Sequence, residues 1–512
     1  MSESKTGTVY LVGAGPGDPG LITTKGKELL GSCQAVIYDN LVADELVISL
    51  PSEVERHYVG KRSGKPCASQ EEINALMVRL ARAGKQVVRL KGSDPLIFGR
   101  GGEEAKHLKT SGIKFEIVPG VTAGIAAPAY AGIPCTDRYK ASFVVFVTGH
   151  RAREKSFSTV PWDWLAKAKG GTVVIYMGVG EIEKIIRRLI DNGMSPETPA
   201  AVVERGTYPS QRLVTSTLAD LPDDVRAHNI RPPSIVIIGD VVDLHPMMEW
   251  LGDKPLFGKR IMVTRPGDQA QELYFLLRER GAEVQPYPTI STEEYIDSEA
   301  WKKIAKLREK RRWLLFTSEN GVRYFLRQFF DLIGDARNLA AFNIAAMGYG
   351  SSQALSRHHL SADFVPGATT SVGLAEELSA RSDIRASTVV RVCGNLESDY
   401  VAETLASAGA SVIPLQVFTT IYPAWPQDFK DKLTSYPPDA IIFTSGRSVE
   451  GLFKNLTNDE AKRILANAKL VSIGPATTRY IETHGLKVAL EAKTPAIPAL
   501  VEELARFMQD VS

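Results

Sequence analysis

The sequence has little cysteine, no long apolar run and almost no net charge, and each shortage excludes a class of protein. Its four cysteines among 512 residues form no CxxC pair, so we expect neither a disulfide framework nor a bound metal. No apolar segment approaches the ~18 residues that a membrane-spanning helix requires. A formal net charge of +2 gives no reason to expect nucleic acid or a membrane surface as a partner. The polar start MSESKTGTVY leads directly into a strand, so we expect no signal peptide and a cytoplasmic location.

Strand-like and helical segments alternate from end to end, which predicts an α/β protein. The predicted strands of the first half are VYLVGAG, AVIYDN, QVVRLKG, FEIVPG, FVVFVTG, TVVIYMG, AAVVERG and SIVIIGD. Most of them end in glycine or an acid, as strands do when they lead into loops at one upper edge of a sheet. The segment 245–259 has no clear period and several Pro and Gly residues. We therefore predict a domain over 1–248, a linker over 249–257 and a second domain over 258–512.

The second half contains an internal repeat. IMVTRPGDQAQELYFLLRERGAEVQPY is similar to VVRVCGNLESDYVAETLASAGASVIPL, LLFTSENGVRYFL to IIFTSGRSVEGLF, and AAMGYGSSQAL to VSIGPATTRYI. The three pairs follow one another in the same order at nearly one offset, which predicts two similar α/β lobes. Each lobe would place a Thr-Ser pair and a glycine-hydroxyl loop at strand ends. Such hydroxyls either donate to the carboxylates of a ligand or only cap helices.

A glycine-rich run over 89–102, RLKGSDPLIFGRGG, is the stretch most suggestive of ligand binding. It follows a short apolar strand and precedes Glu103 and Glu104, which are predicted to begin a helix. Glycines at the end of a strand let the backbone approach a ligand closely. A tight strand-to-helix connection without a ligand explains the run equally well, so the interpretation depends on other loops.

Two further loops of small residues lie in the same half. VGAGPGDPG over 12–20 is similar to the GxGxxG dinucleotide motif, but Asp18 occupies the third glycine position. Because Asp39 lies about where such a motif has the acid that binds ribose, a nicotinamide-dependent oxidoreductase, with NAD(P) as cofactor, is one alternative. PGVTAG over 119–124 leads into more small residues, which either accept a flat adenine or simply pack closely.

Six segments of the first half, in their order and spacing, resemble the tetrapyrrole methylases and, among them, uroporphyrinogen-III C-methyltransferases. These segments are VYLVGAGPGDPGLIT, AVIYDNLV, RLKGSDPLIFGRGGEE, PGVTAGIAAPAYAGIP, VIYMGVG and AVVERGT. The second half resembles uroporphyrinogen-III synthases through VTRPGDQA, FTSENGV, CGNLESD, FTSGRSVEG and IGPATT. The resemblance implies a two-lobed methylase domain followed by a synthase of two doubly wound lobes, about 258–290 plus 420–512 and 291–419.

The methylase resemblance implies that S-adenosyl-L-methionine binds in a cleft between two lobes. The implied cofactor contacts are Pro16, Gly92, Ser93, Asp94, Ile97, Thr122, Ala123, Met177 and Gly206. Asp94 would take a polar end of the cofactor, and Met177 would pack on its adenine or ribose. The backbone of Thr122 and Ala123 would read the adenine. Many members have Gly-Gly-Asp where this chain has Gly92-Ser93-Asp94, so we expect a slight shift of this loop, since serine adopts fewer backbone conformations than glycine.

For methyl transfer, the resemblance implies Asp39 as the proton acceptor and Lys61 as a proton donor. The sulfonium methyl is already activated and the pyrrole carbon is electron-rich, so the protein must mainly align them and remove a proton. Without the resemblance, a helix N-cap is the better explanation of Asp39, and a solvated charge is the better explanation of Lys61. The implied activity is methylation of uroporphyrinogen III at C2 and C7 to precorrin-2, by a homodimer formed through the methylase half.

The synthase resemblance implies closure of hydroxymethylbilane to uroporphyrinogen III with inversion of ring D. The implied substrate contacts are Thr317, Ser318, Thr444, Ser445 and Thr477. Many synthases have a tyrosine where this chain has Phe418, which cannot assist departure of water. A methylase with a non-catalytic, tetrapyrrole-binding second half is therefore a further alternative. The sequence leaves open whether the product leads to sirohaem, cobalamin or another tetrapyrrole.

Overall fold

The structure is a computed structural model. It describes residues 6–51, 53–60, 68–149, 160–267, 269–308, 311–368, 370–395 and 400–510. The chain divides into two compact units, residues 1–289 together with 425–512, and residues 290–424. In the described ranges, no helix is both long enough and apolar enough to cross a membrane.

A five-stranded parallel sheet forms the first lobe of the N-terminal half, in the order β3-β2-β4-β1-β5. Its strands are β1 (Thr8–Gly13), β2 (Ala35–Tyr38), β3 (Glu55–Tyr58), β4 (Val87–Lys91) and β5 (Lys114–Val118). Its helices are α1 (Thr24–Ser32), α2 (Asp44–Ile48), α3 (Gln70–Arg82) and α4 (Gly101–Thr110). The loop after β5 leads into α5 (Ala123–Tyr130), which packs against the second sheet, described next. Because all five strands run in one direction, the loops after β1, β2, β4 and β5 leave from the same edge.

A second, mixed sheet forms the other lobe, in the order β6-β7-β10-β8-β9. Its strands are β6 (Phe143–Thr148), β7 (Gly171–Tyr176), β8 (Pro199–Glu204), β9 (Arg212–Thr217) and β10 (Ser234–Ile238). The helices of this region are α6 (Trp162–Lys167), α7 (Ile182–Asp191), α8 (Leu221–Ala227) and α9 (His245–Met248). β10 is antiparallel to β7 and β8, so its terminal Gly239 lies at the opposite edge of this sheet from the ends of β7 and β8.

The second half continues the alternation of strands and helices. Its strands are β11 (Arg260–Val263), β12 (Glu283–Pro286), β13 (Ser291–Glu294), β14 (Arg312–Phe316), β15 (Asn343–Ala346), β16 (Thr388–Cys393), β17 (Ser411–Gln416), β18 (Phe418–Ile421), β19 (Ala440–Phe443), β20 (Lys469–Ser472) and β21 (Leu490–Glu491). Its helices are α10 (Gln271–Glu279), α11 (Ser298–Ala305), α12 (Glu319–Leu332), α13 (Tyr349–Ser356), α14 (Ser371–Ser379), α15 (Tyr400–Ser407), α16 (Gln427–Ser435), α17 (Gly446–Asn455), α18 (Asn458–Leu465), α19 (Pro475–Thr483) and α20 (Ile497–Asp510).

The strand order of two sheets reproduces the sequence repeat. One sheet has the order β12-β11-β19-β20-β21, and the other has the order β17-β16-β14-β15, beside a two-stranded ribbon of β13 and β18. Repeat-related strands occupy the same places, β11 with β16, β12 with β17, β19 with β14 and β20 with β15. Successive residues of β19 pack into different cores, Ile442 on one face and Ile441 on the other, which is the doubly wound arrangement that was predicted.

The two lobes of the second half are interleaved along the chain. β11 pairs with β19 rather than with β14, which follows it more closely in sequence. Gly281 and Gly409 follow the equivalent helices α10 and α15 with φ of 88° and 92°, a conformation in which glycine commonly ends a helix. The exact lobe boundaries stay a prediction, since strand pairing does not fix where a connecting segment belongs.

Candidate functional site

Three loops at the carboxyl edge of the first sheet pack backbone against backbone. A Cβ atom on Gly13 would lie 2.6 Å from the Cα of Gly120, and one on Gly120 would lie 2.5 Å from the carbonyl oxygen of Ser93. The Ser93 N–H donates to the Gly15 carbonyl at 2.7 Å. Glycine at these positions therefore serves the mutual approach of the loops after β1, β4 and β5, which builds one continuous wall from three distant segments.

The Gly92-Ser93-Asp94 segment is braced by its own side chains. Ser93 has φ of 67°, in the left-handed region, and its Oγ accepts a hydrogen bond from the Ala123 N–H at 2.5 Å. The buried Asp94 accepts from the N–H groups of Leu96 at 2.8 Å and Ile97 at 3.1 Å through Oδ1, and from Gly120 at 3.0 Å through Oδ2. Asp94 is thus placed as a brace of two loops, whereas the sequence analysis assigned it to a polar end of the cofactor.

Tyr176, which the sequence analysis did not single out, joins the two lobes of this half. Its hydroxyl lies 2.6 Å from Thr122 Oγ1 and accepts from the Gly124 N–H at 2.6 Å. Burial raises the pKa of the Tyr176 phenol, so the hydroxyl keeps its proton and can donate to Thr122. The ring of Phe98 packs on the Tyr176 ring, with centroids 4.9 Å apart. Nothing in the segment VIYMG marks its tyrosine as different from any other strand residue.

Backbone strain and exposed apolar side chains concentrate at these loops. Nine non-glycine residues of the described chain have positive φ, and six of them follow β4, β7 or β8, namely Ser93, Phe98, Arg100, Met177, Arg205 and Thr207. Met177 is 52% exposed, and Ile97 is 37% exposed in the loop that it shares with Phe98. Strained backbone clusters at ligand sites, because only surrounding structure holds it in place.

Gly206 and Pro16 lie on two further loops of the same site. A Cβ atom on Gly206 would overlap the Ala127 side chain and lie 2.9 Å from the Ala127 Cα, so this turn packs directly on α5. Pro16 is half-buried in the loop after β1. The next turn is tied to the β8 loop, since the Asp18 N–H donates to Thr207 Oγ1 at 3.0 Å.

The loop after β1 lacks the geometry of a dinucleotide motif. The GxGxxG motif opens a helix whose N-terminus receives the pyrophosphate. Here the loop leads into a short 3₁₀ turn at Pro19–Leu21, and α1 begins only at Thr24. Asp18, whose carboxylate accepts from the Tyr130 hydroxyl at 2.6 Å, places negative charge where a pyrophosphate would lie. The nicotinamide alternative therefore loses its structural basis.

Asp39 follows β2 at the same sheet edge. Its Oδ1 accepts from the Leu41 N–H at 3.1 Å, and its Oδ2 accepts from Arg89 Nη2 at 3.2 Å. The helix-cap interpretation of Asp39 is wrong, because α2 begins at Asp44 with Ala43 as its N-cap. Lys61, the predicted proton donor, lies outside the described residues.

The predicted synthase contacts divide between the two compact units. Ser318 caps α12 by accepting from the Gly321 N–H at 3.1 Å, and Thr317 precedes it. In the other unit, Ser445 caps α17 by accepting from the Ser448 N–H at 3.3 Å. Thr444 precedes Ser445, and Thr477 is buried at the start of α19. Ser318 and Ser445 thus act as helix caps at equivalent positions of the repeat.

Phe418 is a packing residue of the unit 290–424. It is buried and stacks on Tyr324 with ring centroids 5.6 Å apart. The Tyr324 hydroxyl donates to the Thr292 carbonyl at 2.9 Å. A phenol therefore lies beside Phe418, contributed by a helix that sequence reasoning did not connect with it.

Metal ligands are not grouped in the described part of the chain, where no cluster of three or more His, Cys, Asp or Glu residues could hold an ion.

Comparison with known proteins identifies both halves. Residues 8–222 match the family of Tetrapyrrole (Corrin/Porphyrin) Methylases, and residues 271–502 match Uroporphyrinogen-III synthase HemD. The Porphyrin biosynthesis protein HemD of Ruminiclostridium josui is 35% identical over 97% of both chains. An S-adenosyl-L-methionine-dependent uroporphyrinogen III methyltransferase of Methanosarcina barkeri is 47% identical, over 47% of this chain and 94% of its own. A structure of uroporphyrin-III C-methyl transferase from Thermus thermophilus with S-adenyl homocysteine is 39% identical, over 46% of this chain and 93% of its own, with a TM-score of 0.39. The chain belongs to the tetrapyrrole methylase family in its first half and to the uroporphyrinogen-III synthase family in its second.

Proposed function

We propose that the second half closes hydroxymethylbilane to uroporphyrinogen III with inversion of ring D, and that the first half methylates this product at C2 and C7 to precorrin-2. The observation that carries the proposal is that one chain contains domains of both families. The relative from Ruminiclostridium josui matches this chain over nearly the whole length of both proteins. The synthase product is the methylase substrate, so the two halves catalyse consecutive steps. Tetrapyrrole biosynthesis by a bifunctional enzyme follows from membership of both families.

The loops after β1, β4, β5, β7 and β8 suit S-adenosyl-L-methionine as the methyl donor. Backbone N–H and carbonyl groups lie near exposed apolar side chains such as Ile97 and Met177, a combination that can hold an adenosyl group by its flat face and its polar edge. When bound, this cofactor supplies an already activated methyl group. The remaining residues of the predicted set, Pro16, Gly92 and Gly206 among them, shape the wall on which it would lie.

Asp39 is the proton acceptor that we propose for the methylation. After a methyl group joins a pyrrole carbon, a proton must leave the macrocycle, and a positioned carboxylate can take it. Asp39 lies at the same sheet edge as the glycine loops, and Leu41, two residues on, lies against Gly92, where an added Cβ would be 2.6 Å from the Leu41 Cβ. The same proposal includes Lys61 as the proton donor. It also includes a homodimer formed through this half and a cytoplasmic location.

In the synthase half, we propose that the Thr-Ser pairs at 317–318 and 444–445, together with Thr477, bind substrate carboxylates through hydroxyl and backbone donors. Each pair follows the end of a central strand, β14 or β19, where an open α/β sheet binds its ligand. Loss of the hydroxyl group from hydroxymethylbilane gives a resonance-stabilised cation. Holding the linear tetrapyrrole in a folded shape therefore contributes more to catalysis than any single acid does. Such catalysis does not need a tyrosine at the position of Phe418.

Incubation of the full chain with hydroxymethylbilane and methyl-labelled S-adenosyl-L-methionine tests both halves. We expect two labelled methyl groups per macrocycle and the type III isomer. Formation of only the type I macrocycle by spontaneous closure would support the alternative of a non-catalytic second half. Type III product without label would contradict the methylase assignment. Supplying uroporphyrinogen III directly separates the two outcomes, since it bypasses the synthase.

A further inference from the structure

Strand β4 carries two buried cations through the centre of the first sheet. Arg89 is 4% exposed and Lys91 is 6% exposed, although the strand lies between β2 and β1 in a parallel sheet. The effective cost of burying an ion is several kcal/mol, and apolar residues would fill such a strand more stably. The fold alone does not require these charges.

One fully buried carboxylate holds both cations. Glu104 Oε1 accepts from Arg89 Nε at 3.3 Å and from Lys91 Nζ at 3.1 Å. The amide of Gln70 donates to the same oxygen at 3.1 Å. Glu104 stands on α4, directly after the glycine-rich loop. The loop-to-helix junction and β4 are therefore locked together by charge.

The guanidinium of Arg89 is fixed from several directions and ends on Asp39. Nη1 donates to the Leu90 carbonyl at 3.0 Å and the Ile37 carbonyl at 3.4 Å, while Nη2 donates to Asp39 Oδ2 at 3.2 Å. With Nε on Glu104, the planar group has no rotational freedom left.

We propose that Arg89, held by Glu104, is a positioning residue that orients the Asp39 carboxylate for proton removal during methyl transfer. This inference rests on the proposed function, in which Asp39 is the acceptor. Arg89 holds Oδ2 and the Leu41 N–H holds Oδ1, so the carboxylate plane is set from both sides. A carboxylate has about four acceptor positions, and the remaining ones can take the proton that leaves the macrocycle once the methyl group has joined the pyrrole carbon.

A double-mutant cycle of Arg89→Met and Asp39→Asn in the full chain tests the proposal, with uroporphyrinogen III and S-adenosyl-L-methionine as substrates. We expect Arg89→Met to lower kcat about 10²-fold, the loss typical of a misplaced catalytic group, and to change KM less than about threefold. In the Asp39→Asn background, Arg89→Met should cause no further loss. Arg89→Lys should recover part of kcat, since an ammonium reaches the carboxylate without fixing its plane.

Arg56→Met is the matched control. Arg56 lies on β3 of the same sheet and donates to the backbone carbonyls of Leu50 and Pro51 at 2.6 and 3.0 Å, so its removal costs stability without touching Asp39. We expect unchanged kcat for Arg56→Met. Binding of S-adenosylhomocysteine, measured by calorimetry, verifies that each variant keeps its cleft.

The outcomes separate the inference from the function on which it rests. Wild-type protein that does not methylate uroporphyrinogen III overturns the proposed function. Active wild-type protein with additive losses in the cycle, or with a change confined to KM, overturns the positioning role alone. An Asp39→Asn variant of full activity overturns it as well, because Arg89 would then have no acceptor to orient.

Discussion

The N–H of Ala123 donates to the Oγ of Ser93 at 2.5 Å and joins two loops that are far apart in the chain. Ser93 adopts φ of 67° to make this contact. A left-handed conformation costs a non-glycine residue about 1–2 kcal/mol, and a neutral hydrogen bond contributes about 1 kcal/mol. The serine that stands where many methylases have glycine thus offsets its own backbone strain.

Replacement of Ser93 should separate the two effects. Ser93→Ala keeps the strain and loses the hydrogen bond, so we expect the Kd of S-adenosylhomocysteine to rise about fivefold, equivalent to about 1 kcal/mol. Ser93→Gly loses the bond but also the strain, so its Kd should stay within about twofold of wild type. Titration calorimetry checks both values. Equal weakening by the two variants would show that the backbone strain has no part in binding.

Gly206→Ala should damage the cleft by steric overlap alone. The added Cβ would enter the Ala127 side chain, and overpacking of this kind costs about 1–3 kcal/mol. We expect a lower Tm and weaker binding of S-adenosylhomocysteine. The double variant Gly206→Ala with Ala127→Gly removes the overlap and should recover most of the binding, despite the cost of glycine in a helix. A double variant no better than the single one would contradict this packing.

The ion pair of Glu45 and Arg278 should make stability depend on pH. Their closest atoms are 3.2 Å apart, with side chains 10% and 24% exposed. Burial raises the pKa of Glu45, and the charge of Arg278 only partly opposes this. Because the folded-state pKa lies above the unfolded one, the folded protein takes up the proton first. The stabilisation from this group is therefore present at acid pH and is lost as pH rises through the folded-state pKa.

Two variants test the pair by urea unfolding. At pH 7, Arg278→Met leaves a buried carboxylate without its cation, and we expect the free energy of unfolding to fall by about 2 kcal/mol. Glu45→Gln should lose less, because a neutral amide is easier to bury. As pH falls toward the unfolded-state pKa, wild type should gain stability relative to Glu45→Gln. A relative loss over that range would refute the raised pKa.

Substitution of Ser445 should show whether this residue of the synthase half is only a helix cap or also a substrate contact. Ser→Ala at an N-cap costs about 1 kcal/mol and Ser→Gly only a few tenths. We therefore expect Ser445→Ala to lower Tm more than Ser445→Gly. If the hydroxyl also binds substrate, both variants should lose cyclisation activity to a similar extent, as should the repeat-related pair at Ser318. Activity that follows stability alone, with the glycine variant close to wild type, would leave only the capping role.

In the first half, sequence patterns located every central strand of the two sheets but missed two of the four edge strands. Apolar runs such as those of β4 and β7 predicted strands because both faces of these central strands are buried. β3 and β9, ERHY and RLVTST, lie at the sheet edges and carry polar residues on an exposed side, so hydrophobicity did not mark them. The sequence did not determine the direction of β10 either, because the hydrophobic pattern of a strand is the same in parallel and in antiparallel pairing.

The site residues show a similar division. Glycine-rich loops indicated where a ligand would lie, but not that Asp94 braces the loop or that Tyr176 bridges two lobes. Arg89 and Glu104 gave no signal of their link to Asp39, because each fits its own strand or helix without it. Residues that act through one another across a sheet leave no local pattern in the chain.

The amino-acid sequence by itself determined the α/β class, the duplicated architecture of the second half and the order of its motifs, because these depend on local periodicity and turn chemistry. The tertiary structure alone decided which side chains meet. Parallel strands bring the ends of distant segments to one edge, so the contacts among Asp39, Arg89 and Glu104 exist only once the sheet has assembled.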